Sequence, residues 1–412
     1  MKNVFIHSNG CAVLLHETER VAKYFSLNGW AIVKHPEQAQ VLVMTCCGVT
    51  QREEDEAIMM IKDLEAKRIR NSRFIISGCM PAFARDRVLY TAPQAVVLKY
   101  EELPILDTII SATVSFTSVY YNAKPILNQS IEAKETIDDD LCLMRKIDDR
   151  YHTHQCEQAW EFSTMRKYMW QDDRTFQIKV SYGCPGNCSY CATKLGIGNF
   201  RSVDREAVML QFREGLAQGY KRFLLIGDEI GAYGRDIGSS LPDLLQEMYD
   251  VSQGQVTIAI RYIHPDIFVA IYERLKPFFA LGFVTYFCCA IQSGSADVLK
   301  RMNRNPRIEP FLQCMEDLNA QSYKVNKHTQ IIIGFPGETA EDFLWTMDAL
   351  RRCKFDHINI NLYSPRKHTV AWNMQNDVTE EQKMFRAQII KDIMKLHKKT
   401  LLYETIKHIE LL

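Results

Sequence analysis

The amino-acid sequence predicts an α/β protein with two sheets, an open parallel α/β sheet in residues 1–125 and a partial (β/α)6 barrel in residues 173–400. Three observations support this prediction. Short apolar runs recur along the chain, each run ends in a loop of glycine or polar residues, and an amphipathic or charged helix follows most loops. With 412 residues, 47% of them apolar, the chain can form two or three buried cores.

Residues 1–125 repeat a strand, loop and helix pattern. The first predicted helix carries Val21, Tyr24 and Phe25 at helical spacing, and a charged helix is predicted over residues 51–66. Strands are predicted at residues 4–6, 41–44 and 74–76, and the apolar segments 95–98 and 113–119 are expected to complete the sheet. Because helices separate these strands, a parallel sheet is favoured.

Cysteines follow the ends of the first three predicted strands. Cys11 comes after the first strand, Cys46 and Cys47 after the second, and Cys79 after the third. The carboxyl ends of parallel strands line one edge of a sheet, so these thiols are expected to converge. One buried cysteine is ordinary. Three at equivalent positions predict a metal centre held by Cys11, Cys79 and either Cys46 or Cys47, and the alternative is a set of unligated core thiols.

Residues 126–172 are rich in charge, lack clear periodicity, and are interpreted as a linker between the two domains. His152, His154 and Cys156 lie there, and a solvated linker is favoured over a metal site.

Cys184, Cys188 and Cys191 form a CxxxCxxC motif directly after an apolar strand at residues 176–180. Three thiolates at this spacing can bind three irons of a 4Fe–4S cluster and leave the fourth iron without a protein ligand. A structural zinc site and three buried thiols are the alternatives. Zinc needs a fourth nearby ligand, and the next histidine or cysteine in the chain is His264. The motif therefore favours an iron–sulfur centre.

Strands and helices continue to alternate after this motif, with a helix predicted over residues 205–218. Strands are predicted at residues 222–226, 257–261, 284–290, 329–333 and 357–362. Gly227, Asp228 and Glu229 follow the first of these strands. An acidic pair at a strand end can bind a cationic ligand or cap the next helix, and the ligand role is favoured.

The CxxxCxxC motif resembles that of the radical S-adenosylmethionine (SAM) superfamily, and the cysteine loops before it resemble the methylthiotransferase family. That family includes tRNA adenosine and ribosomal-protein aspartate methylthiotransferases. The matching motifs, in chain order, are Gly10-Cys11, Thr45-Cys46-Cys47, Gly78-Cys79-Met80, Gly231-Ala232-Tyr233-Gly234-Arg235, Arg261 with His264-Pro265, Gln292-Ser293-Gly294, Met302-Asn303-Arg304, Gly334-Phe335-Pro336-Gly337-Glu338-Thr339 and Tyr363-Ser364-Pro365-Arg366. The glycine-rich string at 231–238 is most similar to the threonylcarbamoyladenosine tRNA enzymes. Ile197, Gln330 and Lys367-His368 depart from the family pattern, so substrate contacts are expected to differ.

The resemblance implies SAM, two 4Fe–4S clusters and an electron donor such as flavodoxin or ferredoxin. One cluster would be held by the CxxxCxxC cysteines and cleave SAM to a radical. The second, auxiliary cluster would be held by Cys11, Cys47 and Cys79 and carry sulfur, although a slip of one residue would exchange Cys47 for Cys46. The residues implied to contact SAM are Tyr190, Gly227, Asp228, Glu229, Arg261, Gln292, Ser293, Arg304 and Arg366. Arg235, Arg304 and Arg366 would grip the SAM carboxylate or a substrate anion, unless they form surface ion pairs.

The substrate is predicted from charge and from the end of the chain. Fifty basic residues balance fifty acidic ones, so no global field attracts RNA or a membrane. No apolar leader or membrane-spanning run is evident, and a reducing cytoplasm is expected. Thr379 begins a capped helix with an apolar stripe at Phe385, Ile389, Ile393 and Leu396, and the remaining tail, residues 401–412, is too short for the TRAM module of tRNA-acting relatives.

A peptide or other non-tRNA substrate is therefore favoured, with methylthio insertion at an unactivated carbon as the reaction. Three alternatives stay open: a tRNA methylthiotransferase that recruits RNA through a partner, a non-catalytic iron–sulfur protein that senses redox state or iron, and a radical SAM enzyme with a different product.

Overall fold

The computed structural model describes residues 2–10, 12–48, 51–119, 174–321 and 323–398. The predicted linker at 126–172, the tail at 401–412 and the predicted ligand Cys11 lie outside the described residues.

A five-stranded parallel sheet forms the first part of the chain, with strand order β2-β1-β3-β4-β5. Its strands are β1 (Lys2–Ser8), β2 (Trp30–Ile32), β3 (Val41–Cys46), β4 (Arg73–Gly78) and β5 (Val96–Val97), and its helices are α1 (Ala12–Leu27), α2 (Gln51–Lys67), α3 (Arg85–Thr91) and α4 (Leu106–Ile110). The strands alternate their side chains between two apolar layers, one on each face of the sheet. This arrangement confirms the α/β fold class.

Two features of this sheet differ from the sequence-based expectation. The short edge strand β2 was not predicted, and the segment 113–119 is not a strand. Side chains satisfy the backbone of that segment: Asn28 Oδ1 accepts the N–H groups of Thr113 and Val114 at 2.8 and 2.9 Å, and Asp107 Oδ1 accepts the N–H of Phe116 at 2.8 Å. A backbone held in this way needs no neighbouring strand.

The second part of the chain forms a six-stranded parallel sheet whose strands are neighbours in chain order, as expected for a partial barrel. Its strands are β6 (Thr175–Lys179), β9 (Arg222–Ile226), β10 (Thr257–Ile263), β11 (Val284–Cys289), β12 (Asn326–Ile333) and β13 (His357–Leu362), and a small antiparallel pair is formed by β7 (Ser181–Tyr182) and β8 (Arg201–Ser202). The helices are α5 (Thr193–Ile197), α6 (Arg205–Ala217), α7 (Leu241–Ser252), α8 (Pro265–Ala280), α9 (Ala296–Arg301), α10 (Glu309–Ala320), α11 (Ala340–Cys353) and α12 (Glu380–Lys398).

The two faces of this sheet differ in what covers them. One face packs on the helices and forms the largest core of the described structure. The other face carries a separate small cluster made of Leu224, Ile226, Ala259, Tyr286 and Cys288. Tyr286 Oη lies 2.6 Å from His328 Nδ1, so polar groups also line this inner face.

Helix α12 begins as predicted but presents a different face to the core. Thr379 and Gln382 form the expected reciprocal capping bonds. Phe385, however, is 68% exposed, whereas Lys383 is fully buried. Lys383 Nζ donates to the carbonyl oxygen of Tyr363 at 3.1 Å, so the polar end of this side chain is satisfied inside. The predicted stripe is therefore wrong at Phe385, and the side chain of Leu396 lies outside the described residues.

Candidate active site

The CxxxCxxC loop begins at Gly183, directly after β7. Gly183 has a φ of +67°, and a Cβ built there would lie 2.5 Å from the carbonyl oxygen of Asn199, so glycine is required. The N–H of Gly183 donates to Asp228 Oδ2 at 2.9 Å. The end of β9 thus holds the start of the loop.

Two of the three sulfurs in this loop lie within hydrogen-bond reach of backbone N–H groups. Gly186 N–H donates to Cys184 Sγ at 3.3 Å, and Thr193 N–H donates to Cys191 Sγ at 3.4 Å. Burial, followed by the nearby carboxyl group of Glu229, raises the pKa of Cys184 to about 12. Because this thiol resists ionisation, a bound metal would be needed to hold it as a thiolate.

The Met-Asn-Arg motif after α9 holds the same loop from the opposite side. Asn303 Nδ2 donates to the carbonyl oxygen of Asn187 at 2.7 Å, and Ser189 Oγ donates to that of Arg301 at 2.8 Å. Arg304 Nη1 donates to Tyr190 Oη at 3.1 Å. Tyr190, the residue before the last motif cysteine, is therefore oriented by Arg304.

Glu229 places a buried carboxyl group at the end of β9. Its Oε1 accepts the N–H of Gly231, and its Oε2 accepts the N–H of His264, both at 3.0 Å. Burial raises its pKa to about 8. Burial also raises the pKa of the neighbouring Asp228. A cation bound here would favour the ionised form of Glu229, so the site suits an ammonium group.

The raised pKa of Glu229 predicts a contribution to stability that depends on pH. The ordinary value is 4.5 and the folded value is about 8, so the folded protein keeps a proton that the unfolded chain loses between these values. This contribution is fully present below pH 4.5 and is lost as the pH rises through 8. We therefore expect the free energy of unfolding of the wild type, measured with denaturant, to fall relative to that of Glu229→Gln as the pH rises from 6 to 9.

The control for this prediction is Glu206→Gln, a change at an exposed carboxylate in the first turn of α6. Its difference from the wild type should stay constant over the same range. Parallel pH profiles for the wild type and Glu229→Gln would contradict the prediction.

The backbone at Gly227 packs closely against β7, and the backbone at Gln292 bonds to β12. A Cβ at Gly227 would lie 2.3 Å from Ser181 Oγ, so β9 and β7 approach closely there. Gln292 has a φ of +66° and bridges to β12, since its N–H donates to the carbonyl oxygen of Gln330 at 2.9 Å. The Gln292 Oε1 atom is buried and accepts no hydrogen bond from the described residues.

Three residues predicted to contact SAM have other surroundings. The Ser293 hydroxyl is fully buried, lies 3.1 Å from Thr346 Oγ1 of α11 and accepts the N–H of Ser295. These partners hold the hydroxyl against α11 and Ser295, and its contact with SAM stays a prediction. Arg261 is buried, and its guanidinium lies 5.2 Å from the ring centroid of Tyr262.

Arg366 is the third of these residues, and its guanidinium pairs with a carboxylate of the first domain. The chain crosses to the first sheet after β13, and Arg366 Nη2 pairs there with Glu54 of α2. Both side chains are buried. A buried carboxylate thus occupies one edge of this guanidinium, and its grip on the SAM carboxylate stays a prediction.

The second and third cysteine loops lie at the carboxyl edge of the first sheet. Cys47 N–H donates to Asn9 Oδ1 at 2.9 Å, so Asn9 ties the loop that leads to Cys11 to the loop after β3. Cys46 is fully buried in an apolar layer, and burial raises the pKa of its thiol. Cys79 follows β4, and its N–H donates to the carbonyl oxygen of Cys46 at 3.0 Å. Cys47 and Cys79 thus lie past the ends of adjacent strands, as predicted.

The CxxxCxxC loop and the cysteine loops of the first domain meet where α5 packs on that domain. A Cβ built at Gly196 would lie 3.0 Å from both Cα and Cβ of Cys79. Gly196 comes five residues after Cys191, the last cysteine of the loop. Ala192 also packs against the apolar layer that contains Cys46. The two cysteine groups therefore share one region of the molecule.

Sequence reasoning missed a buried ionic network that joins the two sheets. Lys179 Nζ, at the end of β6, donates to Tyr100 Oη at 2.8 Å, and Tyr100 Oη donates to Glu17 Oε2 of α1 at 2.5 Å. Arg20 Nη1 donates to Glu17 Oε1 at 2.8 Å. A lysine inside an apolar strand and a glutamate inside an apolar helix face are the signals that could have revealed this network.

The donor chemistry of these residues fits iron–sulfur clusters. Within the described ranges no three His, Cys, Asp or Glu side chains are already arranged around one metal position. The soft thiols on one short loop, with N–H groups directed at Cys184 and Cys191, are nevertheless the donors and supporting hydrogen bonds that such clusters use.

Comparisons with known proteins match both halves of the chain. A sequence model of the radical SAM superfamily matches residues 178–350, and a model described as uncharacterized protein family UPF0004 matches residues 3–99. The threonylcarbamoyladenosine tRNA methylthiotransferase of Thermotoga maritima is 28% identical over 95% of this chain and 82% of its own length. Both matches and this relative point to the radical SAM methylthiotransferase family. This confirms the predicted family, and the protein is a SAM-dependent transferase whose cofactors are SAM and two 4Fe–4S clusters.

Another methylthiotransferase relative agrees with this assignment, and one solved structure shares the fold. The tRNA-2-methylthio-N(6)-dimethylallyladenosine synthase of Thermotoga petrophila is 27% identical over 95% of this chain and 81% of its own length. The radical SAM methyltransferase TsrM of Kitasatospora setae superposes with a TM-score of 0.57 at 12% identity, covering 90% of this chain and 77% of that chain. The second likeness shows the fold alone. Among the described helices, none combines the length and the apolar character needed to cross a bilayer.

Proposed function

We propose that this methylthiotransferase inserts a methylthio group at a carbon of an adenosine in tRNA. The contact between Gly196 and Cys79 carries the reaction type, because sulfur insertion needs a radical-generating centre and a sulfur-bearing centre side by side. The names of the Thermotoga relatives, which align over 95% of the chain, support the substrate class.

The proposal assigns the radical cluster to the cysteines of the CxxxCxxC loop. Gly183 and Asp228 orient this loop from β9, and Asn303 orients it from the other side. The buried carboxyl group of Glu229 would receive the amino group of SAM, and Tyr190, held by Arg304, would contact the adenine. The auxiliary cluster is assigned to Cys47 and Cys79 together with Cys11, and Gly227, Arg261 and Gln292 stay predicted SAM contacts.

When bound, SAM and the two clusters supply the hydrogen-abstracting radical, the sulfur and the methyl group. The protein residues position the reacting groups and exclude water from the region around them. Tyr190 is partly buried and Cys46 is fully buried beside the two loops, so the reacting region has apolar walls. Reduction of the radical cluster would come from a small electron carrier of the flavodoxin or ferredoxin class.

A peptide or protein substrate is the second candidate, and the charge of the chain favours it. The equal numbers of acidic and basic residues give no overall field that attracts a polyanion, whereas phosphate contacts dominate most nucleic-acid binding. The relatives act on tRNA by name, so the peptide substrate stays a prediction. The cytoplasmic location stays a prediction as well.

One experiment separates these functions. The anaerobically reconstituted enzyme is incubated with SAM and dithionite, in one arm with unmodified tRNA and in the other with a peptide pool, and the products are analysed by mass. We expect a digested adenosine with SCH3 in place of one hydrogen. The same mass change in a peptide alone would overturn the tRNA proposal, and a different mass change would point to another radical reaction. A protein that releases no 5′-deoxyadenosine would be a non-catalytic iron–sulfur protein.

A further inference from the structure

The ion pair with Glu54 satisfies only part of the Arg366 guanidinium. Only 4% of the residue is exposed, and its Nη2 is paired with Glu54. Its Nε and Nη1 atoms are also buried, and neither has a hydrogen-bond partner among the described residues. Charged N–H donors that are buried without acceptors destabilise a folded protein, so this pattern indicates that a further acceptor belongs beside them.

The residues around this guanidinium indicate where the missing acceptor would lie. Arg366 lies 5.4 Å from the ring centroid of Phe83, which belongs to the turn that begins at Cys79. Burial lowers the pKa of Arg366, and nearby Glu53 and the thiol of Cys47 partly oppose this shift. The guanidinium thus lies between the loops that carry two of the proposed ligands of the auxiliary cluster.

The backbone before Arg366 is also tied to this place. Ser364 Oγ accepts the N–H of Gln51, the first residue of α2, at 3.1 Å. The loop after β13 therefore docks on the start of the helix that follows Cys47, and Arg366 reaches one turn further to Glu54. Arg87 also pairs with Glu54, but its side chain is 40% exposed, so the same carboxylate has one buried and one solvated arginine partner.

We propose that the free Nε and Nη1 groups of Arg366 donate hydrogen bonds to sulfur of the auxiliary cluster, with Glu54 holding the guanidinium in place. This inference rests on the proposed function, since it requires a cluster on Cys47 and Cys79. A cation that donates to cluster sulfur stabilises the reduced, more negative state and raises the reduction potential. Arg366 thereby connects the last strand of the barrel to the centre that carries the sulfur.

The test measures the reduction potential of the auxiliary cluster alone. The parent is the full chain with Cys184, Cys188 and Cys191 replaced by alanine, reconstituted anaerobically and titrated with EPR detection. Adding Arg366→Gln should shift the potential to more negative values, and Arg366→Lys, which keeps the charge but loses the planar donors, should shift it less. Arg87→Gln is the matched control and should leave the potential unchanged.

Three results would refute parts of this scheme in distinguishable ways. An unchanged potential in an Arg366→Gln variant with full iron content overturns the role of Arg366. If that variant does not fold, Arg366→Lys takes its place: losing the planar donors should still shift the potential to more negative values, and no shift overturns the inference. A parent that retains no iron would instead refute the auxiliary cluster, and with it the proposed function.

Discussion

Replacing Cys184 with alanine is expected to abolish reductive cleavage of SAM and to halve the iron bound by the reconstituted enzyme. The remaining two thiols of the loop cannot hold a cubane cluster, so iron should fall from about eight to about four atoms per chain. Iron and sulfide analysis and chromatographic measurement of 5′-deoxyadenosine check this prediction. The effect should be a loss of at least about a thousandfold in rate, because no other group can supply the electron.

The control is Cys314→Ala, a change at a partly buried free cysteine on α10. Its iron content and SAM cleavage should equal those of the wild type. A second pair separates the adjacent cysteines of the first domain: Cys47→Ala should lose the methylthio product and keep SAM cleavage, whereas Cys46→Ala should keep both. Normal SAM cleavage by Cys184→Ala would remove the loop from the mechanism.

Replacing Glu17 with alanine is expected to lower the free energy of unfolding by about 3–5 kcal/mol. Glu17 is fully buried and accepts from Arg20 and Tyr100, and Lys179 Nζ lies 4.0 Å from its Oε2. Removing the carboxylate would leave the buried Lys179 and the partly buried Arg20 without this counter-charge. Denaturant unfolding at neutral pH, followed by far-UV circular dichroism, measures the change.

Two variants show whether charge is the cause of this loss. Asp63→Ala breaks the ion pair with Lys67 on the exposed side of α2, and it should cost less than about 1 kcal/mol. The double variant Glu17→Gln/Lys179→Met, which removes the buried charge on both sides, should be more stable than Glu17→Ala. If Glu17→Ala costs no more than Asp63→Ala, the network does not stabilise the contact between the sheets.

Much of the fold could be predicted because its signals are local. The strands Arg222–Ile226 and His357–Leu362 begin and end where the apolar pattern predicts, since side-chain alternation and turn residues act over a few positions. The three-cysteine loop could be predicted for the same reason: its spacing lies within eight residues of the sequence. The segment 113–119 was misjudged because Asn28, 86 residues before Val114, and Asp107, nine residues before Phe116, take over its backbone hydrogen bonds.

The sequence by itself determined the parallel α/β architecture, the cysteine loop and the placing of Cys47 and Cys79 past strand ends, because strand period and motif spacing are properties of short segments. The tertiary structure alone decided that Arg366 pairs with Glu54, 312 residues away, and that Lys179 meets Glu17 through Tyr100. These partners are brought together by the path of the whole chain. A buried charge pairs with the opposite charge that the path of the chain brings close to it, and no local sequence pattern specifies that partner.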